Sequence, residues 1–177
     1  MMEYRELKEN EICRELFKDF IRRQEVKKCW RKEEGTWVVR DVPFIDDWSE
    51  ADYQTLTACL KNTAAAGGLV YAFFHDGTLK GFASVESGMF GGEEKYLDLT
   101  SLHVSADMRG RGIGKELFLA ACRWAKEKGG RKLYISGHSA VETQAFYKAV
   151  GCREAKVYNQ KHVWAEPCDC QLECELS

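Results

Sequence analysis

The chain has 177 residues, 45% of them hydrophobic, and its 26 Lys and Arg against 28 Asp and Glu leave a formal net charge of −2. A chain of this length buries about 70% of its unfolded surface and needs no disulfide or metal for stability. The near-neutral charge argues against nucleic-acid or anionic-membrane binding, which depends on a basic surplus. No apolar run approaches the ~18 residues of a membrane span, and the charged N-terminus lacks a signal peptide's apolar segment. We expect a cytoplasmic protein with residues 1–177 in a single domain.

The eight cysteines lie mostly among apolar residues, and without a secretory signal we expect reduced, buried thiols. The segment CDCQLEC departs from this scatter, with Cys168, Cys170 and Cys174 at even spacing. Alternate residues of a strand share a face, so these thiols are predicted to point into the core. A metal site is the alternative, but the usual C-x-x-C pairs are missing. We predict no metal.

The first elements of the chain are a strand and a helix. A short strand is predicted at 2–7, and apolar residues at helical spacing predict a helix over 11–24. Residues 27–48 show no clear period. A turn at Glu34-Gly35 and a short strand at WVV are their only identifiable features.

A second helix and a hairpin follow. The helix is predicted to begin after Ser49, a good N-cap, and to stop at the Gly67-Gly68 pair. The hairpin consists of LVYAFF and KGFASVES on either side of HDGT, in which Asp76-Gly77 is a strong turn signal.

The second half of the chain alternates strands and helices. We predict a strand at 96–104, a helix at 112–128, a strand at 132–136, a helix at 139–150 and closing strands at 153–158 and 168–176. The order strand, helix, strand indicates at least one β-α-β unit. The fold class predicted is therefore α+β, with a mixed sheet.

The most informative segment is RGRGIG, which lies between a strand and an amphipathic helix. Gly110, Gly112 and Gly114 let the main chain turn tightly and approach a ligand. Their N–H groups, with the unpaired donors of the following helix, form a cradle for phosphate oxygens. Arg109 and Arg111 add positive charge.

The spacing of the glycines discriminates between phosphate-binding motifs. A Walker loop is excluded because Arg109 and Glu116 stand where Gly and Ser or Thr are required. A dinucleotide fingerprint is excluded because the residue three after Gly110 is Ile113. The motif that matches is Arg-x-x-Gly-x-Gly, beginning at Arg109.

With this loop the sequence resembles the GCN5-related N-acetyltransferases, in which it holds the pyrophosphate of acetyl-CoA. LDLTSLHVSADMRGRGIGKELF resembles the family's strand-loop-helix core, KLYIS its next strand, and AFYKAVGC its Phe-Tyr-x-x-x-Gly-Phe signature, with Cys152 replacing the last Phe. Specific matching covers residues 96–152. The resemblance implies a mostly antiparallel mixed sheet flanked by helices, with a bulge and splay after strand 96–104 that open a cleft for pantetheine.

The resemblance also implies roles for individual residues. Main-chain groups of Leu102 and Val104 would hold pantetheine, and an N–H at Leu102 or His103 would polarise the thioester carbonyl, an effect of about 3 kcal/mol. Tyr147 would protonate the departing thiolate, or else is a core aromatic with its hydroxyl at the rim. The pyrophosphate would bind Arg109, Gly110, Arg111, Gly112, Ile113 and Gly114.

The attacking amine must lose its proton, and a carboxylate or imidazole can accept it. The resemblance aligns Asp98 with an acidic position that some family members use as general base. The alternative is a solvated strand carboxylate. His103, His138 and Glu86 are reserve candidates.

The acceptor site is implied to lie between the first two helices, where aromatic and acidic side chains suit a cationic amine. The candidates are Trp30, Trp37, Asp46 and Asp47. Alternatively, the tryptophans fill core and the acids are solvated.

The sequence thus predicts an acetyl-CoA-dependent N-acetyltransferase that moves acetyl to a small-molecule or peptide amine by direct attack in a ternary complex. A non-catalytic CoA-binding module and an acyltransferase using a longer acyl-CoA are the alternatives. A homodimer is compatible with the family.

Overall fold

The computed structural model describes residues 1–177 as nine strands and four helices. The strands are β1 Met2–Glu6, β2 Gln24–Glu33, β3 Thr36–Asp46, β4 Leu69–His75, β5 Thr78–Val85, β6 Tyr96–Val104, β7 Lys132–Gly137, β8 Arg153–Glu154 and β9 Cys170–Glu175. The helices are α1 Glu50–Ala65, α2 Ile113–Glu127, α3 Val141–Ala149 and α4 Gln160–Ala165. None of the helices combines the length and apolar character needed to cross a bilayer.

Seven strands form one sheet in the order β1-β4-β5-β6-β7-β9-β8, and β2 and β3 form a separate ribbon. Only β6 and β7 pair in parallel, and α2 connects them in the predicted β-α-β unit. All other pairs in the sheet are antiparallel. The mixed, mostly antiparallel α+β arrangement that the resemblance implied is therefore confirmed.

Strand β6 carries the irregularity that opens the molecule. Its register against β5 shifts at Thr100, which becomes an extra residue between two paired neighbours. It pairs with β7 only from Tyr96 to Leu99, so residues 100–104 have no partner on that side. Because a bulge bends a strand and increases its twist, β6 and β7 diverge and leave a cleft between them.

The sheet buries a different core on each face. Helix α2 covers one face with a 19-residue cluster that includes the fully buried Leu117 and Phe118. Helix α1 and the N-terminal segment cover the other with an 11-residue cluster around Phe17 and Phe82. Full burial of a side chain of this size contributes roughly 1.5–3 kcal/mol, so the two clusters stabilise the sheet from both faces.

Local signals located several elements correctly. The Ser49 hydroxyl caps α1 by accepting a hydrogen bond from the Asp52 N–H. The β4–β5 hairpin turns at Asp76-Gly77, as predicted. Cys170 and Cys174 are buried in the core, whereas the prediction was wrong for Cys168, which is exposed because it precedes β9.

The predicted helix over 11–24 is wrong. The segment instead forms two 3₁₀ turns, at Glu9–Glu11 and Arg14–Phe17, and then runs into β2. Three of its apolar residues, Ile12, Phe17 and Phe20, are nevertheless buried in the cluster under α1. The spacing that indicated a helix therefore reflects an irregular segment whose side chains reach one core.

The region 27–48, which showed no period, forms the long β2–β3 hairpin. Its turn is Glu34-Gly35, as predicted, with φ of 50° and 78°. Two successive positive φ values are typical of the type I′ turn that joins twisted strands. Most side chains of the ribbon are not fully buried, which explains why the strands lack an apolar alternation.

The C-terminal region also differs from the prediction. The strand expected at 153–158 is limited to Arg153–Glu154, and α4 was not predicted. The Asn159 side chain caps α4 by accepting from the N–H groups of Lys161 and His162. A six-residue helix without a buried residue has no apolar period that a sequence could show.

Candidate functional site

Two cavities meet where β6 and β7 diverge. The loop-side cavity has a volume of about 410 Å³ and is lined by residues that include Val104, Arg109, Gly114 and Phe146. The strand-side cavity has a volume of about 510 Å³ and is lined by residues that include Ser136, Gly137, His138 and Asp169. Leu102, His103 and Tyr147 line both. The cleft is therefore continuous past the Tyr147 ring.

The loop before α2 presents unpaired main-chain donors. Gly110 and Gly112 have φ of 78° and 81°, a conformation that other residues rarely adopt. No protein group accepts a hydrogen bond from the N–H groups of residues 109–112. The first N–H groups of α2, which begins at Ile113, also lack acceptors within the helix. Donors in a row at the positive end of a helix fit a diphosphate.

Gly114 has a different role from the two glycines before it. A Cβ at this position would lie 3.3 Å from the Phe146 ring, so glycine allows α2 to approach α3 closely. Ile113 is buried in the core below the loop. Arg111 is exposed and forms no ion pair with the protein, which leaves its guanidinium free to meet an anion.

The Arg109 side chain is committed to the protein itself. Its guanidinium donates to the main-chain oxygens of Val104 at 3.1 Å, Arg23 at 2.9 Å and Arg22 at 2.9 Å. Burial and the neighbouring Arg22 lower its pKa. Arg109 thus ties the end of β6 and the loop to the segment before β2, a structural role that the motif did not indicate.

Main-chain groups of β6 face the cleft at alternate residues. The Ser105 N–H donates to β5, and hydrogen-bonded pairs in an antiparallel ladder recur every second residue. His103 is therefore bonded to β5 as well. The main-chain groups of Leu102 and Val104 point to the open edge. Of the two N–H groups considered for the carbonyl, only that of Leu102 faces the cleft.

The His103 side chain is held neutral. Burial lowers its pKa to about 3, and the Arg22 and Arg109 guanidiniums add to the effect. The imidazole packs against Trp48, with ring centroids 4.8 Å apart, and against Phe82 at 5.4 Å. A ring with so low a pKa is too weakly basic to accept a proton from an amine near neutral pH.

Tyr147 lies at the junction of the two cavities. Its ring packs edge-on against Phe146 with centroids 5.3 Å apart, and a Cβ at Gly137 would lie 3.2 Å from it. Burial raises the pKa of the hydroxyl, so it keeps its proton throughout the neutral range. A protonated hydroxyl between the two cavities can donate to a group in either of them.

Asp98 lies beside the cleft rather than in it. Its Oδ2 is 2.6 Å from His162 Nε2, and its buried Oδ1 has no hydrogen-bond partner. The carboxylate lines neither cavity. The hydrogen bond to Asp98 raises the pKa of His162. The predicted role of Asp98 as a general base remains a prediction.

The structure does not bring Trp30 and Trp37 to the cleft. Both line a separate apolar cavity of about 540 Å³, together with Val141 and Lys148. Trp37 Nε1 also donates to Glu154 at 2.8 Å, so the two tryptophans support the β2–β3 hairpin.

The two predicted acceptor carboxylates are placed differently. Asp46 lines the strand-side cavity and forms an ion pair with Arg22 at 2.8 Å. Asp47 accepts a hydrogen bond from the Trp48 N–H and lines none of the cavities of the cleft.

Two carboxylates of the cleft, Glu166 and Asp169, escaped the sequence analysis. They lie between α4 and β9 in a segment without a motif, so only the fold brings them to the cleft. Glu166 also lines a third space, the acidic cavity, of about 690 Å³. Its other carboxylates are Asp52 and Glu86, and no Lys, Arg or His lines it.

No group of three or more His, Cys, Asp or Glu side chains is arranged to hold a metal ion. The features of the cleft are instead main-chain donors, a tyrosine hydroxyl and carboxylates.

Comparison with known proteins agrees with this geometry. A family model described as the acetyltransferase (GNAT) family matches residues 10–152. No curated protein matches the chain. A structure assigned as a streptothricin acetyltransferase from Bacillus anthracis str. Ames, in complex with acetyl coenzyme A, is similar with a TM-score of 0.73 at 16% identity, covering 100% of this chain and 99% of its own.

Two further structures share the fold. Nourseothricin acetyltransferase has a TM-score of 0.71 at 15% identity, with 99% of each chain covered. The PaiA N-acetyltransferase from Thermoplasma acidophilum, in complex with coenzyme A, has a TM-score of 0.59 at 18% identity, with 99% of each chain covered.

Proposed function

The chain belongs to the GNAT family of acetyltransferases, and we propose that it transfers an acetyl group from acetyl-CoA to a primary amine by direct attack in a ternary complex. The observation that carries this proposal is the row of unpaired N–H groups from residue 109 into α2, at one end of a cleft that continues past Tyr147. The donor substrate would lie in the loop-side cavity and the amine in the strand-side cavity.

The residues of the loop fit acetyl-CoA. The N–H groups of Gly110 and Gly112 and of the first turn of α2 would hold the diphosphate, with Arg111 free to add charge. The outward main-chain groups of Leu102 and Val104 would hold the pantetheine amides as an additional strand would. Acetyl-CoA supplies the acetyl thioester when bound.

Two groups of the chain would assist the transfer. The Leu102 N–H would donate to the thioester oxygen, where negative charge develops, an effect of about 3 kcal/mol. The Tyr147 hydroxyl would donate its proton to the departing sulfur. General acids of this kind contribute roughly 10²–10⁴-fold. Since burial raises the pKa of Tyr147, its proton is available throughout the neutral range.

The lining of the cleft supports a cationic amine as the acceptor. The acidic cavity adjoins the strand-side cavity through Thr100, Ser101 and Glu166, and its carboxylates have no lysine, arginine or histidine beside them in the lining. A second positive charge on the acceptor would therefore be attracted there. Streptothricin and nourseothricin appear in the names of two structural neighbours and therefore belong in the test panel.

The test is release of free thiol from acetyl-CoA across a panel of amines, with the product identified by intact mass. We expect acetylation of at least one cationic amine, with one product per thiol released. Tight CoA binding without acetylation of any amine would contradict the proposal and favour a non-catalytic CoA-binding module. When the assay is repeated with a longer acyl-CoA, faster thiol release and a heavier product would show a preference for that donor.

A further inference from the structure

Asp169 occupies the point at which the cleft opens. The pairing of β7 with β9 ends at Gly137 and Cys170, and Asp169 is the next residue along the chain. Its Oδ2 accepts a hydrogen bond from the Ser136 hydroxyl at 3.0 Å. Its side chain lines the strand-side cavity together with Tyr147. The cavity that would hold the amine therefore contains a half-buried carboxylate held in place by β7.

Other carboxylates near the cleft are poorly placed to accept a proton from the amine. One oxygen of Asp98 is hydrogen-bonded to His162, and the other is buried away from solvent. Asp46 Oδ2 is already paired with the Arg22 guanidinium at 2.8 Å. Glu86 accepts from the hydroxyls of Thr63 and Thr100 and does not line the strand-side cavity.

The histidines of the strand-side cavity are also unsuitable. His103 is held neutral by burial, with a pKa lowered to about 3. His138 Nδ1 accepts a hydrogen bond from the Ala140 N–H at 3.0 Å. In a neutral imidazole the other nitrogen then carries the proton, so His138 has no free lone pair to offer.

The surroundings of Asp169 favour proton acceptance. Burial raises its pKa above the ordinary value, and the charge of Glu166 adds to the rise. The Ser136 hydroxyl, His138 and His162 act in the opposite direction but leave a net increase. Tyr147, on α3, and Cys170, on β9, are the remaining titratable neighbours whose pKa values respond to its charge. Glu166 itself is exposed at the rim, where water screens it. A carboxylate with a raised pKa is a better base near neutral pH.

We propose that Asp169 is the general base of the acetyl transfer, an inference that rests on the function proposed above. The Asp169 carboxylate takes one proton from the acceptor ammonium, and the neutral nitrogen then forms the C–N bond as the C–S bond breaks. The sulfur takes a proton from Tyr147. The second N–H proton of the amine restores Tyr147, and the proton on Asp169 passes to solvent, so that one proton is released per transfer.

The experiment combines kinetics and titration on the full chain. In the wild type, kcat/KM for a good amine should fall on the acid side with a limb that matches the pKa of Asp169, measured in the free enzyme from the NMR signal of its carboxyl carbon. Asp169→Asn should lower kcat roughly 10²-fold or more and remove that limb. Its affinity for acetyl-CoA, measured by calorimetry, should stay unchanged.

Three further variants make the result specific. Ser136→Ala removes a hydrogen bond that lowers the pKa of Asp169, so the acid limb and the NMR titration should both move to higher pH. Asp169→Glu keeps a carboxylate and should recover part of the rate if Asp169→Asn folds poorly. Asp76→Asn, at an exposed turn far from the cleft, should leave the profile unchanged.

The outcomes separate the two proposals. A wild type that acetylates no amine contradicts the proposed function, and the NMR titration then still reports whether Asp169 has a raised pKa. An active wild type in which Asp169→Asn keeps its acid limb and a kcat within about threefold overturns the role of Asp169. Loss of acetyl-CoA affinity in a folded Asp169→Asn would also overturn it, because the residue would then act in donor binding.

Discussion

Gly112 is the residue on which the proposed acetyl-CoA site depends most. Its φ of 81° is costly for a branched side chain, by roughly 1–2 kcal/mol, although a Cβ there would meet no atom within 4 Å. Gly112→Val should therefore distort the row of N–H donors and lower acetyl-CoA affinity more than tenfold, as measured by isothermal titration calorimetry. An unchanged affinity would show that the diphosphate does not bind at this loop.

Gly129 offers a matched control for that substitution. It has a φ of 90° and equally open surroundings, but it follows the other end of α2. Gly129→Val should cost similar stability in a thermal melt and leave acetyl-CoA affinity unchanged. Equal losses of affinity in the two variants would mean that general destabilisation explains both.

Tyr147→Phe tests the proposed acid with the smallest change. Removal of the hydroxyl leaves the ring packing on Gly137 and Phe146 in place, so we expect a stable protein with kcat lowered roughly 10²-fold. The KM for acetyl-CoA should change little. Steady-state thiol release provides both values. A kcat of the variant equal to that of the wild type would show that Tyr147 only packs in the core.

The glycine-loop motif predicted some features of individual residues and missed others. Of the two glycines that the Arg-x-x-Gly-x-Gly pattern specifies, Gly112 has a positive φ, as does Gly110 between it and Arg109. The pattern could not show that Arg109 donates to the oxygens of Arg22 and Arg23, because those partners are more than 80 residues away in the chain. Asp169 was missed for the same reason, since only the β7–β9 pairing places it beside the cleft.

At the scale of elements, prediction succeeded where the signal was local. The Ser49 cap, the Asp76-Gly77 turn and the apolar face of α2 depend on neighbours within a few residues. The segment 11–24 was misassigned because its apolar residues pack across the sheet without forming a helix. The short α4 was missed because tertiary contacts rather than propensity hold it in place.

Helix α4 provides a prediction on pH. Asp98 raises the pKa of His162. The ion pair between protonated His162 and Asp98 should therefore contribute its full stabilisation at pH values below 6.5, the ordinary pKa of histidine. That stabilisation should disappear as the pH rises through the folded-state pKa. Urea unfolding between pH 5 and about 9 should show the stability of wild type and His162→Gln converging as the pH increases. A difference independent of pH would contradict an ionic role for the pair.

Acid stability of the whole molecule should depend on Glu173. This buried carboxylate contacts Lys132 and Arg153, each at 3.0 Å, and the Tyr96 hydroxyl at 2.6 Å. Burial alone would raise its pKa, but hydrogen bonds from Lys156 N–H, Tyr96, Lys132 and Arg153 outweigh it and lower the pKa to about 2. The stabilisation should be present above pH 4.5 and be lost as the pH falls toward 2.

Glu173→Gln should lower the free energy of unfolding by about 1.5–3 kcal/mol at neutral pH, because the buried Lys132 keeps only Glu94 as an ionic partner and the Tyr96 hydroxyl loses a charged acceptor. Glu175→Gln is the matched control on the same strand. Its carboxylate is exposed and pairs only with Arg153, so its loss should cost less than about 1 kcal/mol. Denaturant unfolding provides both values, and equal costs would contradict the assignment.

The molecule as a whole illustrates how few residues identify this fold. The assigned streptothricin acetyltransferase shares 16% identity with the chain and yet superposes over its full length. The strand, loop and helix around residues 96–127 carry the recognisable motif, whereas the β2–β3 hairpin and α4 do not. The glycine loop before α2 could therefore be predicted from the sequence, and the lining of the strand-side cavity could not.

A crystal structure of the chain with CoA at saturating concentration tests the central claim most directly. We expect the diphosphate to accept hydrogen bonds of about 2.7–3.2 Å from the N–H groups of Gly110, Gly112 and the first turn of α2, with pantetheine along Leu102 and Val104 and the sulfur beside Tyr147. Nucleotide density elsewhere on the molecule, or a loop without ligand at saturation, would contradict the account.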